Sequence, residues 1–121
     1  MGIVHIVAPA RLQTVDFGKR VTPPAVGNNP SPLLATHSTS DDGVVSTGTW
    51  EATPGVFARA VEDAEFSHFI SGHATFVTAD GQRFEFRAGD AAYFPPYTKG
   101  VWTIHATLRK TFCVWRAARS T

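Results

Sequence analysis

From Val44 to the C-terminus, apolar and polar residues alternate in short runs separated by turn residues. The runs read "VVSTGTWEA", "VFARAVE", "EFSHFIS", "HATFVTA", "RFEFRA", "DAAYFP", "GVWTIHAT" and "KTFCVWRA". Successive side chains of a strand point to opposite faces, so an alternation of period two predicts strands with one buried face. The clearest hairpin is "FVTADGQRFEF", where Asp80-Gly81 supplies the left-handed conformations of a tight turn. In it Phe84 and Phe86 share one face, and Arg83, Glu85 and Arg87 the other. No segment holds a helical period. "FARAVEDAEF" comes nearest, but Gly55 and the β-rich neighbours argue against a helix there. Eight short strands in one small domain predict a sandwich or barrel. An eight-stranded barrel has an interior just wide enough for side chains or one small ligand, so function is sought inside.

The pattern is absent before Val44. Five of the eight prolines fall in residues 1–32, and "TPPAVGNNPSPL" and "THSTSDD" read as loop and extended chain. We expect residues 1–43 to form an extended, proline-rich N-terminal arm that wraps the domain or reaches a partner subunit. Residues 44–121 then form the domain itself.

Composition narrows the function classes. A length of 121 residues fits one domain, and 43% hydrophobic against 17% charged residues fits an ordinary globular core. A net charge of +1 gives no electrostatic footprint for nucleic acid or for an acidic membrane. The single cysteine, Cys113, excludes an internal disulfide framework and suits a reducing compartment. No apolar run approaches the roughly 18 residues of a membrane span, and the N-terminus lacks the basic start of a signal peptide. The expectation is a cytoplasmic protein with no nucleic-acid or membrane partner. Hydrolase, phosphate-loop and Rossmann signatures are absent, and no motif supplies a base for Cys113 as a nucleophile.

Two landmarks stand in order. Glu65 is followed after six residues by Gly72, and Gly89-Asp90 by Pro95 after five residues from the glycine. This resembles the two motifs of the cupin family, the first running G, five residues, H-x-H, three or four residues, E, six residues, G. The second runs G, five residues, P-x-G, two residues, H, three residues, N. Within the family the chain is similar to the small subgroup that includes ethanolamine-utilisation protein Q and is related to ureidoglycine aminohydrolase. The similarity lies at "GTWEATPG", at "GD" with the following Pro95, at "KGVW" and at "RKTF", and it covers roughly residues 44–116. Phe112 replaces a tyrosine of the subgroup, Ala106 stands where an acid is common, and Tyr97 replaces the glycine of P-x-G. The resemblance implies an all-β cupin jelly-roll barrel and a homodimer, since a proline-rich arm and exposed edge strands both seek cover.

Many cupins hold a metal on three histidines and a glutamate, and here most of those ligands are missing. The H-x-H positions fall on Arg59 and Val61, or on Ala58 and Ala60 with the longer spacer. The later histidine and asparagine positions are Gly100 and Ile104, which leaves Glu65 alone. We therefore expect no resident cofactor, with a divalent transition metal on Glu65 as the less favoured alternative. The resemblance turns Glu65 inward, where a carboxylate needs a cation or hydrogen-bond donors. Arg59 is the expected partner, either in a structural pair or as the anion-binding group of a pocket. Alternation puts His68 on the opposite face from Glu65, with Phe66 and Ile70. His73 and His105 are singletons without metal-ligand spacing. Trp50, Trp102 and Trp115 line a pocket or belong to the core or a dimer interface. Tyr93 is placed near the cavity mouth. Lys110 and Arg109 lie on opposite faces, so at most one points inward. An inward lysine would be a base or Schiff-base former, and an exposed one is the commoner case.

Three readings of function follow. The first is a barrel that binds a small polar or carboxylate-bearing metabolite through Arg59, Glu65, Tyr93, Trp102 and Lys110. The second is a small-molecule enzyme of aminohydrolase, isomerase or lyase type, using Glu65 with or without a metal. The third is a homodimeric interaction module without ligand.

Overall fold

The structure is a computed structural model and describes residues 2–6, 12–14 and 32–116. The strands are β1 (Gln13–Thr14), β2 (Pro32–Thr39), β3 (Val45–Ala52), β4 (Gly55–Val61), β5 (Ala64–Thr78), β6 (Arg83–Arg87), β7 (Ala91–Phe94) and β8 (Thr98–Trp115). All pairings are antiparallel, and the described residues contain no helix. The expected all-β jelly roll is the fold observed.

Two long strands hold the fold together. The C-terminal half of β8 pairs with β3 and with the N-terminal half of β5, which also carries β7. The N-terminal half of β8 pairs with β4 and with the C-terminal half of β5, which also carries β6. Each long strand thus serves both halves of one continuous eight-stranded sheet, and the change occurs where the β5–β8 register shifts between Phe69 and Ala74. Gly72 sits in this bend with φ 97°. A Cβ there would lie 2.2 Å from the Thr107 carbonyl oxygen and 2.7 Å from the Leu108 Cα. The close approach of β8 therefore requires a glycine.

Two pairs of expected runs are consequently one strand each. "EFSHFIS" continues through Gly72 into "HATFVTA", and "GVWTIHAT" continues into "KTFCVWRA". The Asp80-Gly81 hairpin forms as expected, with Gly81 at φ 92° and Val77 opposite Arg83. Within the expected arm, Pro32–Thr39 pairs with β3, and the ladder shifts register between Thr36 and Ser38, passing over His37. Leu34 of this strand packs on the core, and Pro32 is buried. The middle of the expected arm, residues 15–31, lies outside the described residues.

The core is aromatic. Phe69 stacks on Phe86 with centroids 4.5 Å apart, and Phe76 packs on Trp102 at 4.8 Å. Burying one such ring is worth about 1.5–3 kcal/mol. From Glu65 to the bend β5 alternates: Glu65, Ser67 and Phe69 are buried, while Phe66, His68 and Ile70 are exposed. Tyr97, at the glycine position of P-x-G, keeps a left-handed backbone with φ 64°. The turn before β8 thus takes a left-handed residue at the position where the motif has its glycine.

Candidate functional site

The inner face of β5 begins with Glu65. On β8 the inward positions include Trp102, Lys110, Phe112 and Val114, and on β4 they include Phe57 and Arg59. The register places Lys110 between Trp50 of β3 and Phe69 of β5. Arg59 lies opposite Gly100, two residues before Trp102 on β8. These side chains meet within the folded sheet. They line a cavity of about 200 Å³ whose walls are Leu34, Trp50, Trp102, Phe112 and Val114, with Arg59, Glu65 and Lys110 as its charged groups. A smaller recess of about 20 Å³ shares Arg59, Glu65, Trp102 and Lys110 and extends toward Phe76 and Phe94.

The Lys110 amine donates to Glu65 Oε2 at 2.5 Å, and Ser67 Oγ donates to the same oxygen at 2.6 Å. Both charged residues are buried, at 7% and 6% exposure. Four rings surround the amine: Trp50 at 5.1 Å, Phe94 at 5.6 Å, Trp102 at 5.7 Å and Phe69 at 5.9 Å to their centroids. A ring face attracts a cation and so offsets part of the lost hydration.

Burial works to raise the Glu65 pKa, but the charge and hydrogen bond of Lys110, the Ser67 hydroxyl and the Arg59 charge outweigh it. The carboxyl is held below its ordinary value. For Lys110, burial is the larger effect and lowers the amine, against the opposing pull of Glu65. Arg59 is likewise lowered by burial and partly restored by Glu65.

The direct partner of Glu65 is therefore Lys110, where Arg59 was expected. Arg59 joins the same cluster through its charge. Lys110 is also the inward member of its pair, against the commoner exposed case. Arg109 points to the other side, with its Nε 3.8 Å from Glu51 Oε1. Trp50 and Trp102 serve at once as core and as cavity wall, while Trp115 is 39% exposed. Tyr93 is not brought into this cavity. It is 59% exposed and lines a separate open groove of about 700 Å³ with Phe84, Pro95 and Tyr97. That groove is larger, but no cluster of buried charges converges in it, so the smaller interior cavity is the better candidate for chemistry. The residue not singled out from sequence is Ser67. Its signal was available, since it shares a strand face with Glu65 two residues away.

The histidines lie elsewhere. His68 is exposed on the outer face of β5. His73 and His105, expected as singletons, have ring centroids 4.6 Å apart, with His105 Nε2 hydrogen-bonded to Thr75 Oγ1 at 2.7 Å. His37 Nε2 is hydrogen-bonded to Thr49 Oγ1 at 2.8 Å in the β2–β3 ladder.

The donor set does not fit the metal that the cupin pattern implies. Among the described residues no group of three or more His, Cys, Asp and Glu converges on a point. Oε2 of Glu65 already accepts from an ammonium group, and a guanidinium stands at a histidine position. At the histidine position of the second motif, Gly100, a Cβ would lie 2.5 Å from the Phe76 ring. A dication would thus meet two fixed positive side chains.

Comparison with known proteins agrees with this architecture. The EutQ-like cupin domain family matches residues 39–112. The Clostridium difficile EutQ protein superimposes with a TM-score of 0.65 at 16% identity over 73% of this chain. This chain spans 64% of that protein's length. A putative ethanolamine utilization protein Q from Salmonella typhimurium gives 0.65 at 15% identity, covering 97% of this chain and 100% of the other. An RmlC-like cupin from Shewanella frigidimarina gives 0.64 at 12% identity, with 95% and 93% covered. No curated protein matches the chain. Among the described residues no helix is long and apolar enough to cross a membrane. With most of its strands inside the matched region and the jelly roll shared with these neighbours, the chain belongs to the EutQ-like cupin domain family.

Proposed function

We propose that the interior cavity binds a small carboxylate-bearing metabolite without a resident metal. The observation that carries this reading is the charge of the lining among the described residues: two basic groups, Arg59 and Lys110, against one acidic group, Glu65. A buried cluster with this composition has a positive potential, and low-polarity walls strengthen it. An anion satisfies it, and the planar Arg59 fork suits a carboxylate. The size agrees, since an apolar cavity of about 150 Å³ accommodates a benzene ring. Trp50, Trp102 and Phe112 offer walls for the apolar part of a ligand.

Calorimetric titration against a panel of small acids and their amides tests the reading. Carboxylates of three to six heavy atoms are expected to bind, and the matching amides to bind at least about tenfold more weakly, as for loss of a charge-assisted hydrogen bond. Amides binding as tightly as acids, or no binding across the panel, would defeat it.

The homodimer belongs to the same proposal. In register across β7, β5 and β8, Tyr93, Phe66 and Cys113 share the outer face, with Phe66 45% exposed. Exposed apolar rows of this kind seek cover. Light scattering at micromolar concentration is expected to give twice the chain mass, and a monomer would remove dimerisation from the proposal.

A further inference from the structure

We propose that Lys110 is a covalent site, at which its amine condenses with the carbonyl of a small oxo acid whose carboxylate lies against Arg59. This rests on the carboxylate-binding reading above and names the substrate class as 2-oxo acids and aldehyde acids.

Three observations carry it. First, a lysine that only stabilised the fold would need a carboxylate and nothing else. Lys110 instead shares a cavity of about 200 Å³ with a second basic group. Arg59 and Lys110 border the same space, so an oxo acid whose carboxylate met Arg59 would share that space with the Lys110 amine. Second, Lys110 has one hydrogen-bond partner among the described residues, Glu65, which is itself an acid–base group. A carboxylate at 2.5 Å from an amine is within reach for proton transfer. Third, the amine is buried, with the Trp50 and Trp102 rings beside it. The same burial favours the uncharged, nucleophilic amine.

The step balances without an oxidant or reductant. Glu65 takes a proton from the Lys110 ammonium. The amine lone pair forms the N–C bond, and the carbonyl oxygen takes up a proton from the nitrogen. Glu65 returns its proton to that hydroxyl, the C–O bond breaks, and water leaves. The product is a protonated imine on Lys110 beside an ionised Glu65, so the cluster keeps its charge throughout.

The test is reductive trapping on the full chain, with glyoxylate and with pyruvate as probes and cyanoborohydride as reductant, followed by peptide mass spectrometry. The chain holds three lysines, Lys19, Lys99 and Lys110, so two of them serve as internal controls. The expected result is a carboxymethyl group, or its methyl homologue from pyruvate, on Lys110 at least about tenfold faster than on exposed Lys99. Equal labelling of Lys99 and Lys110 would overturn the proposal. Binding of the acids is measured separately by titration without reductant. Acid that binds but leaves no adduct on Lys110 removes the covalent step and leaves the binding reading standing. Neither binding nor adduct removes both. Lys110→Arg, which keeps a cation beside Glu65 but forms no imine, is expected to lose the adduct while Lys99 is labelled as before. Its fold is checked by circular dichroism, and the trapping result on the unaltered chain stands without it.

Discussion

Glu65 and Lys110 are each costly to bury and are tolerable only together. Removing one partner of a buried pair leaves an uncompensated charge, whereas replacing both by apolar groups of similar volume is often neutral. Glu65→Gln and Lys110→Met are each expected to lower unfolding free energy by about 3 kcal/mol. The double change Glu65→Leu/Lys110→Met should recover most of that loss, as read from denaturant midpoints. Proton linkage has a definite sign here. The folded Glu65 carboxyl lies below its unfolded value, so its contribution is complete above about pH 4.3 and is lost as pH falls through the folded value. The folded Lys110 amine is also lowered, so it gives stability the same upward slope with pH in a higher window, below its unfolded value of about 10.4. Urea titrations from acid to neutral pH should show the acid limb, and Glu65→Gln should flatten it. Tyr97 is a separate case at this scale. A tyrosine at φ 64° carries backbone strain that glycine does not. Tyr97→Gly is expected to raise the thermal midpoint, equivalent to about 1 kcal/mol.

At the scale of elements, the alternation made most strands readable, and it put His68 on the face opposite Glu65, which the cupin resemblance turned inward. The Asp80-Gly81 turn was equally plain, because its chemistry is local. The bends in β5 and β8 were not readable. Ser71-Gly72 has the composition of a turn, yet the backbone continues as a strand, since its partner β8 approaches too closely for any side chain. That approach depends on residues far along the chain. Gly72→Ala combines an unfavourable φ with a collision against backbone. It is expected to cost at least about 2 kcal/mol, and more than a surface substitution such as Arg83→Ala, which should stay near 0.5 kcal/mol. Thermal unfolding of the two variants side by side checks this.

For the whole molecule, the sheet extends beyond the boundary that composition indicated. "THSTSDD" reads as loop because it is polar, but Pro32–Thr39 covers the free edge of β3. An edge strand needs backbone partners more than apolar side chains, so its polarity misleads. A chain beginning at residue 44 would expose that edge and lose Leu34 from the cavity wall. It is expected to be less stable by about 2 kcal/mol or more, or to aggregate, whereas a chain beginning at residue 32 keeps that pairing. Size-exclusion profiles and denaturant midpoints of the two chains distinguish these outcomes.

The sequence by itself determined the all-β class, the jelly-roll family through its spaced glycines and Glu65, and the loss of the usual histidine ligands. These follow from period, turn chemistry and motif spacing, which are local. The tertiary structure alone decided that Glu65 meets Lys110, 45 positions away, that Lys110 rather than Arg109 turns inward, and that Tyr93 faces a different groove from Arg59. Those outcomes depend on strand register and on where the long strands bend. Both are set by packing between distant segments, and a shift of one residue reverses every side chain on a strand.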